Sequence, residues 1–110
     1  MTDIEVQSLL AAVPSNLPEE QLSTLLQTEN FRLVRIVSTG QATPEGEWYD
    51  QDENEWVLVL QGSAEIRFED SDVTKSLSPG EYVQIPAHVR HRVDKTDPDR
   101  STVWLALHYT

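Results

Sequence analysis

Two stretches decide the fold: Glu55-Trp56-Val57-Leu58-Val59-Leu60-Gln61-Gly62, and Gly80-Glu81-Tyr82-Val83-Gln84-Ile85-Pro86-Ala87-His88-Val89-Arg90-His91. Side chains alternate across a strand, so Glu55, Val57 and Val59 share one face and Trp56, Leu58 and Leu60 the other. Both faces are apolar, so both need cover. One lines an interior, and the other packs against a second sheet, an N-terminal helix or another subunit. The same alternation puts His91 with Val93 and turns Arg90 and Arg92 outward, toward acids such as Glu65 or Glu69.

Working outward, the runs Phe31 to Ser38, Trp56 to Gln61, Ala64 to Glu69, Val73 to Leu77, Tyr82 to Ile85, His91 to Lys95 and Thr102 to Tyr109 are rich in Val, Ile, Leu and aromatics. Turn residues separate them, which predicts seven short strands in a sandwich or barrel. In Ala64 to Glu69 apolar and charged residues alternate strictly, so one side of that strand faces water. Before Phe31 the period changes. Asn16 reads as an N-cap, Pro18 lies in the first turn and Glu19 is placed to bond back to the cap. Leu22, Leu25 and Leu26 then form a stripe, which predicts a helix over 17–27, with a second over 4–12. The expected division is an N-terminal helical segment, 1–30, packed on a β-barrel domain, 31–110.

The 110 residues suit one domain that buries roughly two-thirds of its unfolded surface. No apolar run approaches the roughly 18 residues that span a bilayer, and no basic region precedes an apolar stretch at the N-terminus, which points to the cytoplasm. The absence of cysteine excludes disulfides, thiolate metal sites and Cys nucleophiles. Nineteen acidic against eight basic residues give a net charge of −11, which repels nucleic-acid backbones and anionic membranes. The acids crowd between Glu45 and Glu55, while Arg90, Arg92, Lys95 and Arg100 gather half of the bases. Either these stretches face each other or both are solvated. No serine sits in a strand-to-helix elbow flanked by glycines, so nothing supports a Ser-His-Asp nucleophile.

The spacing of Glu55 to Gly62, and of Gly80 to Pro86 to His91, resembles the two signature motifs of the cupin family. That resemblance covers residues 31–109 and implies an antiparallel double-stranded β-helix, the jelly-roll barrel, with the polar side chains of both motifs meeting inside it. It also implies a homodimer paired through its sheets. A full cupin site resembles three histidines and one glutamate around a divalent transition metal such as zinc, iron, manganese or nickel. Here His88 stands where the second motif has glycine, and Lys95 where it has asparagine. The His-x-His pair of the first motif falls on Tyr49 and Gln51, or on Trp48 and Asp50 in the other register, and neither contains a histidine.

The candidate metal ligands are therefore Glu55, His91, Gln51 and Asp50, with His88, Tyr49 and Trp48 as candidate ligand contacts. Alternation places Tyr49 and Gln51 on the side of Glu55, whereas Asp50 needs a bulge to reach it. His91 is either a metal ligand or a core residue bonded to Glu55 or Tyr49. His108 shares a face with Trp104 and Ala106 and reads as packing or interface. Three functions remain open: a barrel binding a divalent metal and/or a small organic ligand; a metal-dependent oxygenase, isomerase or lyase; and a metal-free dimeric scaffold.

Overall fold

The computed structural model describes residues 3–110. Eight strands follow one another: β1 (Gln21–Gln27), β2 (Phe31–Ser38), β3 (Asn54–Gln61), β4 (Ala64–Phe68), β5 (Val73–Leu77), β6 (Tyr82–Ile85), β7 (His91–Thr96) and β8 (Thr102–Tyr109). They form a five-stranded sheet ordered β1-β2-β8-β3-β6 and a three-stranded sheet ordered β5-β4-β7. Every pairing is antiparallel.

Among the described residues there is no helix, which corrects both helical expectations. Residues 21–27 pair with β2 as an edge strand, from Gln21 opposite Val37 to Gln27 opposite Arg32. The register slips between Thr24 and Leu26. That bulge puts Leu22 on one face of the strand and Leu26 on the other, so the leucine spacing that imitates a helical stripe is a strand with one extra residue. The residues preceding it form turns and extended chain, with Met1 and Thr2 of the expected N-terminal segment outside the described residues.

The core fills the space between the sheets. Val57, Val59, Ala64, Ile66, Leu77, Ile85, Trp104 and Ala106 form one buried cluster, with Ile36, Phe68, Val83, Val89 and Val93 against it. These are the inward positions of β3, β4, β6 and β8, as alternation requires. On the opposite face of the larger sheet, two cross-strand rows run Leu33, Leu107, Trp56, Gln84 and Arg35, Leu105, Leu58, Tyr82.

The acidic loop and the basic strand do meet. Tyr49 and His91 exchange backbone hydrogen bonds, Tyr49 N donating to His91 O at 2.7 Å and His91 N to Tyr49 O at 3.2 Å. Arg90 pairs with Glu69 at 3.3 Å, as alternation predicts. Arg92 departs from that expectation: its guanidinium donates to the carbonyls of Thr43, at 2.8 Å, and Pro44, and to Asp94 at 2.7 Å. It is a buried pin for the 43–47 loop, because carbonyls there have no strand partner to satisfy them.

Candidate functional site

Glu55 opens β3 with its side chain on the inward face, and antiparallel pairing places it opposite His108 of β8 on one side and Ile85 of β6 on the other. His91 begins β7, where the sheets approach, and the 49–51 loop is tied to it by the Tyr49 bridge. The result is a cavity of about 250 Å3 whose wall includes Tyr49, Gln51, Glu55, His91 and His108, with Val57, Ile85 and Trp104 as an apolar side.

At its polar end, Glu55 lies between two imidazoles. His91 Nε2 is 3.3 Å from Glu55 Oε1, and His108 Nε2 is 3.7 Å from Oε2. The three side chains are at most 12% exposed. His91 Nδ1 donates to the Val89 carbonyl at 2.8 Å, which fixes the ring and directs Nε2 at the carboxylate. Burial alone would lower the His91 pKa, but the hydrogen bond to Glu55, the Val89 carbonyl and the Glu55 charge together raise it above the ordinary histidine value. The pair can therefore hold a proton near neutrality and pass it to a group in the cavity.

Nearby polar groups extend this pattern. Burial pushes the Tyr49 phenol up, as do the charges of Glu20, Glu55 and Glu47, while a hydrogen bond with Thr43 opposes them. Trp104 Nε1 donates to Ser38 Oγ at 3.1 Å, and the Ser38 hydroxyl donates to Glu20 at the cavity wall. No protein donor or acceptor reaches the buried Gln51 Oε1 or His108 Nδ1.

Of the sequence candidates, the structure brings Glu55, His91, Gln51 and Tyr49 to the cavity, the register that places the degenerate pair on Tyr49 and Gln51. Trp48, Asp50 and His88 do not line it. The Trp48 ring lies under the Arg67 and Arg92 guanidiniums, 5.6 and 5.9 Å from its centroid. Asp50 binds His88 Nδ1 at 2.8 Å, which with the charge of Asp52 raises the pKa of that exposed histidine. The two are held together at the surface because Asp50 points opposite to its neighbours Tyr49 and Gln51.

His108 is the residue that sequence reasoning left out of the site. Its signal was present, since it alternates in phase with the inward-facing Trp104 and Ala106; the missing information was that β8 lies beside β3.

Two imidazoles, a carboxylate and an amide are atom types that suit the divalent transition metal the resemblance implies. Their arrangement does not fit one as it stands: among the described residues no three His, Asp or Glu side chains converge as a shell. Each Glu55 oxygen instead faces a different imidazole, as in an ion-paired trio.

Comparison with known proteins supports the same architecture. Residues 34–108 match the cupin domain. No curated protein matches the chain. Among solved structures it is similar to a proposed mannose-6-phosphate isomerase from Ralstonia eutropha JMP134, with 42% identity, 96% of this chain and 98% of that one covered, and a TM-score of 0.93. A cupin superfamily protein from Desulfitobacterium hafniense DCB-2 shares the fold at 19% identity and TM-score 0.78, with 97% and 93% covered. An RmlC-like cupin from Desulfovibrio desulfuricans does so at 20% identity and TM-score 0.70, with 94% and 96% covered. The two glycine-anchored motifs meet in one barrel, the cupin domain spans most of the sequence, and the chain belongs to the cupin family.

Proposed function

We propose that this cupin binds a small polar organic molecule in the cavity bounded by Tyr49, Gln51, Glu55, His91 and His108. The observation that carries the reading is the buried Glu55 set between two imidazoles on the wall of an otherwise apolar cavity. Burying three titratable groups opposes folding unless they are paired, and a scaffold gains nothing from them. A mostly apolar concavity with a few convergent polar groups is the usual form of a small-molecule site.

The test is ligand-observed NMR against a library of small metabolites, with wild type and His91→Ala side by side. Saturable binders of the wild type should weaken at least about tenfold in a variant that keeps its β-sheet circular dichroism. Binders held equally by both proteins would overturn the reading.

A second reading is metal-dependent sugar isomerisation, favoured by the likeness to the Ralstonia eutropha protein. Elemental analysis of untagged protein purified without chelators separates the two. Near-stoichiometric zinc, iron, manganese or nickel, lost in His91→Ala, supports the second; metal neither present nor taken up on titration supports the first.

The outer face of the larger sheet supports pairing of two copies. In a chain with 19 acids, the rows through Leu33, Leu107 and Trp56 and through Leu105, Leu58 and Tyr82 contain no carboxylate. Arg35 Nε and Nη2 are buried on this face with no partner. Leu58→Glu should convert a dimer to monomer in sedimentation equilibrium; an unchanged mass would place the interface elsewhere.

A further inference from the structure

We infer that the cavity is built for a neutral, hydroxyl-rich molecule of about monosaccharide size, and that it selects against the phosphorylated and amine-bearing forms of that molecule. This rests on the ligand-binding reading above and adds the chemical class.

The argument begins with proton positions. The Val89 carbonyl can only accept, so His91 Nδ1 carries a proton. The Glu55 carboxylate also accepts, so Nε2 carries one too, and His91 faces Glu55 as an imidazolium against a carboxylate. The second Glu55 oxygen faces His108 Nε2, which favours the proton there and leaves His108 Nδ1 as a bare acceptor. No protein donor reaches that nitrogen, and none reaches Gln51 Oε1. The cavity wall thus holds two buried acceptors in need of donors, and His108 is only 8% exposed. A buried acceptor without a donor destabilises the free protein, and a ligand hydroxyl removes that penalty.

Charge then narrows the class. The charged side chains on the wall are Glu20 and Glu55 against Arg32 and His91, two of each sign. A phosphate brings two negative charges beside two carboxylates into a chain of net charge −11. Its natural partner, Arg32, already faces Glu53 at 3.8 Å. An ammonium would have to draw Glu55 away from His91. A neutral donor does neither.

Size and shape agree with this. A cavity of about 250 Å3 is below the roughly 300–1,000 Å3 of drug-sized sites. Its apolar side, Val57, Ile85 and Trp104, offers the flat surface against which the C–H face of a sugar ring packs.

The experiment uses full-length protein and isothermal calorimetry at neutral pH. The probes are mannose, mannose 6-phosphate and mannosamine as a matched series, with glucose, xylose, erythritol and myo-inositol as further neutral members. At least one neutral probe should bind saturably at millimolar concentration. Mannose should bind at least about tenfold more tightly than its phosphate or amine. Gln51→Met, which keeps the length and removes both polar atoms, should weaken neutral binders at least about tenfold and raise the melting temperature of the free protein. A structural Gln51 would move the melting temperature the other way and leave affinity alone.

Tighter binding of mannose 6-phosphate or mannosamine overturns the inference, and so does the failure of every neutral probe. If a charged probe binds and is lost in His91→Ala, the cavity remains a ligand site of another class. If neither these probes nor the metabolite library binds, both readings fall.

Discussion

Gly62→Ala is expected to leave little folded protein at ordinary growth temperature. Gly62 has φ +82°, and a Cβ there would lie 2.4 Å from Thr102 Oγ1, 2.7 Å from Thr102 Cα and 2.9 Å from the Ser101 carbonyl oxygen. A hydroxyl could swing away, but two of the three contacts are backbone. Thr102 itself is fully buried, and its hydroxyl donates to the Ser63 carbonyl at 3.1 Å and accepts from Ser63 N at 3.3 Å. Relief therefore requires moving the start of β8, the strand that joins β2 to β3 in the larger sheet. The left-handed backbone adds about 1 kcal/mol for any residue with a Cβ. A total above about 4 kcal/mol is expected, a large part of the roughly 5–15 kcal/mol that holds a domain together. Gly80→Ala is the control. Its φ is +89°, yet nothing lies within 4 Å of its Cβ position, so only the backbone penalty of about 1 kcal/mol applies. Thermal melts followed by circular dichroism compare the two. A Gly62→Ala midpoint within about 5 °C of Gly80→Ala would mean that the overlap relaxes at little cost.

The contrast between these two glycines also marks the limit of what the sequence discloses. Both read as turn glycines from their place at the ends of apolar runs, and both turn out to have positive φ. Nothing local tells that Gly62 abuts Thr102, since that contact depends on which strand lies beside β3. The seven strands from Phe31 onward were legible because half-buried strands impose alternation on their own residues. The segment before them was not. Leu22, Leu25 and Leu26 are exposed in the structure, and the pairing of β1 with β2 outweighs a helical spacing that a bulge happens to mimic. Glu55, His91, Tyr49 and Gln51 were legible as one site by alternation and motif spacing. His108 was not, because a pairing across β3 and β8 is a property of sheet order. Asp50 was attractive as a carboxylate near Glu55 in sequence, but one position on a strand is the difference between cavity and solvent.

Glu55→Gln is expected to reverse the pH dependence that His91 gives to stability, as well as to disrupt ligand binding. In the wild type, burial lowers the His91 pKa, but the Glu55 hydrogen bond, the Val89 carbonyl and the Glu55 charge carry it above 6.5, the ordinary value. A base whose folded pKa is raised binds more protons folded than unfolded near that value. Its stabilising contribution is complete below pH about 6.5 and is lost as the pH rises through the folded pKa. With glutamine at 55 the charge is gone, the shape is nearly kept, and only the Val89 carbonyl opposes burial. The His91 pKa should then fall below 6.5, and the sign inverts: stability is lost as the pH falls below about 6.5, because the unfolded chain now takes up the proton first. Removing one partner of this buried pair should cost about 1–3 kcal/mol, toward the lower end because the amide oxygen still accepts from His91 Nε2. Urea titrations of both proteins at pH about 5.5 and 8, with the His91 ring followed by NMR, measure the slope and the pKa together. Parallel slopes in wild type and variant would show that Glu55 does not hold the His91 proton, and would remove the ion pair from the account of the cavity. A reversed slope with loss of the neutral binders would tie the proton and the ligand to the same carboxylate.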